Sequence, residues 1–374
     1  MIPREVFAET LLGFLQPVRR YLDDPSVSEI MINGPGRVYI ERRGMIERTE
    51  TQFSGKEAVL CALRNAAQFV GKSLDEQNPM LEARLPDGSR LQAVIPPAAP
   101  EGPCVSIRRF LRQALDLDVL IQTGSLTPAA ALTLEVLIRG RLNLLVAGGT
   151  GSGKTSLLNV LTRFIRDEER TLVIEDSKEI VVQRDHVVYL EARPADPNGR
   201  GAVSIRDLFR ASLRMRPDRI VIGEIRGAEA LDIVQAMVSG HGGCMGTLHA
   251  TYPRDTLTRL ETMALMSDVE MPLLALRNQI ASGVNVIVQV AREQDGTRKV
   301  THITQVVELG PDGRYQLIDI FAREYQGIDA HGNVISELLP SGRLPTFIPA
   351  LRSRGLDLPS AVYEAAARAA ERSA

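Results

Sequence analysis

The densest chemistry in this chain is one eight-residue run, Gly148-Gly149-Thr150-Gly151-Ser152-Gly153-Lys154-Thr155, which matches the pattern GxxxxGK[ST]. Its glycines let backbone N–H groups close around a phosphate without steric interference, and its lysine and terminal hydroxyl suit a β/γ-phosphate and Mg²⁺. The apolar run Leu142–Ala147 precedes it, and a helical pattern opens at Lys154-Thr155-Ser156, so a helix N-terminus adds its positive end to the same place. ATP with Mg²⁺ is the expected ligand, held by Gly148 through Ser156. A loop of this kind reads phosphates and leaves the base unspecified.

Hydrolysis also needs a group that orients and deprotonates water. The segment Arg219-Ile-Val-Ile-Gly-Glu224 is an apolar strand ending in an acid, but Gly223 stands where an aspartate is usual, so the carboxylate comes one residue late. That placing suits Glu224 to water activation better than to direct metal binding. Glu175, Asp176 and Glu179 follow another apolar run and are candidates to hold that water or support the metal; taken singly, each is as readily an ordinary helix N-terminal acid. The expected metal set is Thr155, Glu175, Asp176 and Glu224. His249 closes Gly246-Thr247-Leu248-His249 and is a candidate γ-phosphate sensor or water-positioning group, and His241, in a glycine loop, a candidate transmitter of nucleotide state.

Phosphoryl transfer further calls for positive charge, often an arginine from another domain or subunit. Arg84, Arg90, Arg108 and Arg109 in the first third, and Arg214, Arg216 and Arg226 around the Glu224 strand, are the candidates, with Arg90, Arg108 and Arg214 preferred. Strand neighbours point to opposite faces, so at most one of Arg108 and Arg109 faces a nucleotide.

The elements that must position these groups form an α/β chain in two parts. Residues 1–110 read as a small α+β domain, with strands Glu29–Asn33 and Arg37–Glu41 about a Gly-Pro-Gly turn and a third after Gly44. A helix follows between Gly55 and Gly71, then a hairpin Leu81–Leu85/Arg90–Ile95 and a strand Cys104–Phe110. Residues 111–124 read as a linker, 125–322 as a P-loop core, and 323–374 as a C-terminal extension. In the core, Leu142–Ala147, Thr171–Ile174, Arg219–Ile222, Cys244–Leu248 and Val284–Val290 are nearly continuous apolar runs of the kind buried in a parallel sheet. Ligands of such sheets sit at the carboxyl ends of the strands, where the glycine loop, Glu175, Glu224 and His249 all fall.

The whole composition fits this reading. With 374 residues and a formal net charge of −2, the chain has length for two or three domains and lacks the polybasic surface of a nucleic-acid motor. No stretch approaches the ~20 apolar residues of a membrane span, no signal peptide is evident, and three scattered cysteines exclude a disulfide framework. A soluble, cytosolic protein is expected.

Taken together, "SVSEIMINGPGRVYIERRG", "RLPDGSRLQAVIPP", "NLLVAGGTGSGKTSLLNVL", "TLVIEDSKEI", "ASLRMRPDRIVIGEIRGAEALDIVQAM" and "GHGGCMGTLHA" resemble the traffic ATPase superfamily of type II and type IV secretion and type IV pili. Its Tad pilus, CpaF-like branch is the nearest. The resemblance implies a RecA-like core in a hexameric ring, with the N-terminal domain closing over ATP and Mg²⁺. It assigns Glu175, Asp176 and Glu179 to the family's Asp box, Glu224 to an atypical Walker B motif, and His241 and His249 to its His box. It also implies an inner-membrane platform protein as partner, a place at the inner face of the cytoplasmic membrane, and no stable nucleic-acid partner. Ser156, where a second threonine is common, and "GHGGCMGTLHATYP" depart from the family pattern. A conjugative or effector type IV secretion ATPase is the alternative; a nucleic-acid motor and a non-hydrolysing switch are further ones.

Overall fold

A computed structural model describes residues 4–42, 44–109, 116–195 and 199–373. The chain divides into two units, Met1–Ala114 and Leu115–Ala374.

In the first unit six antiparallel strands lie in the order Met45–Arg48, Val38–Arg42, Val27–Asn33, Cys104–Arg108, Arg90–Val94, Met80–Arg84. Alternation puts Ile30, Ile32, Ile40, Leu91 and Ile107 on one buried face. The helix Lys56–Phe69 contributes Val59, Leu63 and Ala66 to the same core, the stripe its 3.6-residue spacing predicts. The strands expected here form within a residue or two of their predicted limits; Phe110 lies outside the described residues.

The second unit is built on a nine-stranded sheet. Its order is Val334–Pro340, Tyr315–Ile328, Arg298–Leu309, Val286–Arg292, Leu144–Gly148, Met245–His249, Arg219–Ile222, Thr171–Glu175, Val187–Glu191. The six strands from Val286–Arg292 to Val187–Glu191 run parallel, and the other three are added antiparallel. Burial on both faces explains the continuous apolar runs: Leu144 and Val146 enter one core cluster, Leu145 and Ala147 the other. Sequence patterning did not predict the three antiparallel strands, whose apolar residues are interrupted by polar ones, or the edge strand Val187–Glu191, whose apolar run Val187–Leu190 is only partly buried.

The expected linker contains an element, and one expected boundary falls inside another. The 111–124 linker contains a helix, Leu117–Gln122, and its residues 111–115 lie outside the described ones. Asp116 just before that helix accepts from Arg163 at 2.6 Å, and Thr123 just after it from Lys299. The limit at 322/323 cuts the strand Tyr315–Ile328, in which buried Arg323 donates to the carbonyls of Gly124, Ser125 and Val300. A guanidinium can be buried there because three carbonyls receive its donors. Residues 323–374 therefore complete the core sheet rather than append to it.

Candidate active site

The phosphate loop leaves the strand Leu144–Gly148 and enters the helix Lys154–Leu161. Gly151 and Gly153 have φ of +70° and +91°, the left-handed conformations that turn successive N–H groups into one concavity. A Cβ on Gly148 would lie 2.4 Å from the Val290 carbonyl, so the neighbouring strand requires a glycine there as well. Gly149 O accepts from Ser152 Oγ and Lys154 Nζ, each at 2.9 Å.

From Lys154 a chain of polar contacts crosses the sheet edge. Lys154 Nζ lies 3.3 Å from His249 Nδ1, and His249 Nε2 lies 3.0 Å from Glu224 Oε1. Glu224 Oε2 accepts from Arg226 at 2.6 Å, and Arg226 donates in turn to Asp176 at 2.9 Å. An ammonium only donates, so His249 Nδ1 is the acceptor and Nε2 carries the proton given to Glu224. Burial and the charge of Lys154 push the His249 pKa below its ordinary value, against the pull of Glu224, which keeps the ring neutral at pH 7. Burial alone would raise Glu224, but Arg226 above all, then His249 and Lys154, hold it below the usual carboxylate range. Adjacent parallel strands place these groups: Met245–His249 pairs with both Leu144–Gly148 and Arg219–Ile222, and His249 is the register partner of Gly148.

Glu175 is placed differently from its expected role. Glu175 is 4% exposed, and its carboxylate accepts from the N–H groups of Glu179 and Ile180 at 3.1 Å. It packs against Gly223, where a Cβ would lie 2.8 Å from Glu175 Cγ. Burial drives its pKa up to about 7; the two N–H groups oppose this, and the charges of Glu179 and Glu191 add to it. The acids expected around a metal are thus separately committed, Glu175 to backbone, Asp176 to Arg226, and Glu224 to His249 and Arg226. Thr155, in the first turn of its helix, is the one expected metal ligand without an acidic side chain. Among the described residues no three His, Cys, Asp or Glu side chains form a metal cage. Mg²⁺ needs none, since one or two protein ligands with phosphate oxygens and water suffice.

Other expected residues are elsewhere. Arg214, Arg216 and His241 precede their strands and lie at the amino edge of the parallel sheet, opposite the loop. A four-residue strand and its flanks put about 15 Å between that edge and Glu224. They therefore do not join this chain's own constellation. That edge is held instead by a buried ion pair, Arg219 Nε to Glu169 at 3.0 Å, extended by Arg141 to Glu169 at 2.7 Å.

In the first unit Arg84, Arg90, Arg108 and Glu29 are successive register partners across four strands and share one face. Arg90 pairs with Glu82 at 3.1 Å, and Arg108 is exposed. Arg109 points the other way and donates to the carbonyls of Asp24 and Val27, a structural pin. Of the seven arginines weighed, Arg226 is the one the second unit brings to Glu224. A further one, Arg298, donates from Nε to Gly151 O at 2.9 Å; no motif marks it.

A family model described as "Type II/IV secretion system protein" matches residues 14–320. A protein of Mycobacterium tuberculosis provisionally named for conjugal transfer is 33% identical over 335 residues, 88% of this chain and 93% of its own. The type IV secretion system protein PtlH homolog of Bordetella bronchiseptica is 33% identical over 317 residues, 77% of this chain and 93% of its own. The solved structure of the pilus retraction motor PilT with bound ADP has a TM-score of 0.53 at 18% identity, covering 92% of this chain and 86% of that one, and shares the fold. These two sequence relatives are named for conjugal transfer and type IV secretion rather than for a Tad pilus. With the family model spanning most of the chain and these relatives each matched over 93% of their own length, this chain belongs to the type II/IV secretion system protein family.

Proposed function

We propose that the chain is an ATPase motor of a conjugal transfer or type IV secretion machine. The observation that carries this is the continuous contact path Gly149–Lys154–His249–Glu224–Arg226–Asp176 along one sheet edge. The left-handed glycines, Lys154 and the helix N-terminus fit a triphosphate, and Thr155 fits Mg²⁺. Bound there, the ion neutralises charge on the β- and γ-phosphates.

Lys154 would exchange its bonds to Gly149 O and His249 for phosphate oxygens. His249 Nδ1 then loses its donor, so arrival of phosphate is felt at Glu224 through one imidazole ring. Glu224 would take a proton from water as the water oxygen attacks the γ-phosphorus and the bond to the bridging oxygen breaks, leaving ADP and phosphate. Glu175 packs against Gly223, the residue before Glu224, and is held there by the Glu179 and Ile180 N–H groups. Arg226 sets the charge of Glu224, while Arg90 and Arg108 belong to the face of the first unit that would supply positive charge from another domain or subunit.

A homo-hexamer docked on an inner-membrane platform protein at the cytoplasmic face is the assembly this reading carries; among the described residues no helix is long and apolar enough to cross a membrane. The relatives named above support transfer or secretion over the Tad pilus expected from sequence. Purified protein should hydrolyse MgATP as a six-subunit particle, and Lys154→Ala in the native host should abolish macromolecular transfer while surface pili persist. Loss of pili with transfer intact would instead favour the pilus motor.

A further inference from the structure

Two arginines outside every motif lie against the phosphate loop. Arg292 ends the strand Val286–Arg292, Arg298 begins Arg298–Leu309, and the two are directly opposed register partners. Opposed like charges are unfavourable in an antiparallel pair, so something else must favour the arrangement. Both face the two left-handed glycines of the loop. Arg298 Nε donates to Gly151 O at 2.9 Å, and its Cδ would be 3.1 Å from a Cβ at Gly153; Arg292 Nη1 would be 3.6 Å from one at Gly151. Their place is set by the sheet, because Val290 on the same strand is the register partner of Gly148.

The Gly151 carbonyl and the Ser152 N–H belong to one peptide plane and point in opposite directions across it. A guanidinium that holds the carbonyl outward therefore turns the Ser152 N–H toward the inside of the loop, where it meets Gly149 O at 3.4 Å. A planar fork with a donor at Nε can hold a carbonyl in this way; an ammonium supplies only a point charge.

We infer that Arg298 is a positioning residue that presets the Gly151–Ser152 peptide for phosphate, and that Arg292 beside it adds positive charge to the nucleotide polyphosphate from within the same chain. This rests on the nucleotide reading above. The test is the affinity of full-length wild type, Arg298→Ala, Arg298→Lys and Arg292→Ala for MgATP and MgADP at several salt concentrations, with thermal unfolding of each protein without nucleotide.

Arg298→Ala should weaken both nucleotides about tenfold, because the Gly151–Ser152 peptide must then be ordered when nucleotide binds. Arg298→Lys should recover little of this, and Arg292→Ala should flatten the salt dependence, all with unchanged unfolding temperature because both side chains are exposed. Wild-type affinity in Arg298→Ala, or full rescue by lysine, would overturn the positioning role; an unchanged salt slope in Arg292→Ala would overturn its part. Absence of nucleotide binding by wild type would overturn the nucleotide reading itself.

Discussion

Glu175 packs so closely on Gly223 that a side chain at 223 has no room: a Cβ there would lie 2.8 Å from Glu175 Cγ and 3.3 Å from its Cβ. This accounts for the late carboxylate of the strand Arg219–Ile222. A side chain at 223 would displace Glu175 from the Glu179 and Ile180 N–H groups, so the acid moves on to Glu224. Gly223→Ala should cost about 1–3 kcal/mol of stability, the range for overpacking. Glu175→Ala in the same chain should return part of that loss, measured by denaturant unfolding of the four proteins of the cycle; strict additivity would contradict this close packing.

Glu175 should also make stability depend on pH. Its carboxyl has a pKa of about 7 when folded against an ordinary 4.5, so the folded state holds the proton more tightly. Its stabilising contribution is full below about 4.5 and is lost as pH rises through about 7. Thermal unfolding across that window should show wild type losing stability relative to Glu175→Gln as pH rises; parallel curves would contradict the burial of an ionisable carboxyl.

His249 has the opposite sign. Its pKa is depressed from 6.5, so it is neutral at pH 7, and what it contributes is lost as pH falls through its folded value. The acid limb of kcat/KM should lie below 6.5, the ordinary histidine value. His249→Gln keeps an acceptor and a donor without titrating and should lose that limb, whereas His249→Ala should lower turnover by about 10²-fold. An identical limb in His249→Gln would remove His249 from the profile.

At the far edge, Glu169 and Arg219 are both buried, and Arg219 with Arg141 holds the Glu169 carboxyl below its usual range against the effect of burial. Removing one partner leaves a buried charge uncompensated. Glu169→Ala should therefore destabilise by about 3–5 kcal/mol in denaturant unfolding, with a far smaller loss for the exposed pair Arg19–Asp23 when Asp23 is replaced.

How much of this was legible in sequence follows from periodicity and range. The phosphate loop is local in sequence, and the five apolar strands are buried on both faces, so motif and pattern located them and their shared edge. Val187–Glu191 is an edge strand, half-buried along most of its length, and its short apolar run Val187–Leu190 follows the polar stretch Gln183–His186 with no glycine loop or catalytic acid to mark it as part of the sheet. The 323–374 segment is set apart in sequence by its resemblance to an extra C-terminal segment of a family branch, whereas the contacts of Arg323 with Gly124 and Ser125 span some 200 residues and are visible only in the fold. Arg214 and His241 were drawn to the site by nearness in sequence to Glu224 and His249, although a parallel strand carries its two ends to opposite edges. Arg298 reaches Gly151 from 147 residues away, a pairing that only the strand order reveals.

The central claim is tested most directly by Glu224→Gln, with MgATP binding and hydrolysis measured beside wild type. Loss of the proton acceptor should leave affinity within a few-fold of wild type and reduce turnover by about 10²–10⁴-fold. Turnover equal to wild type in Glu224→Gln would contradict the account, because the contact path from Lys154 through His249 would then end on a residue the reaction does not use.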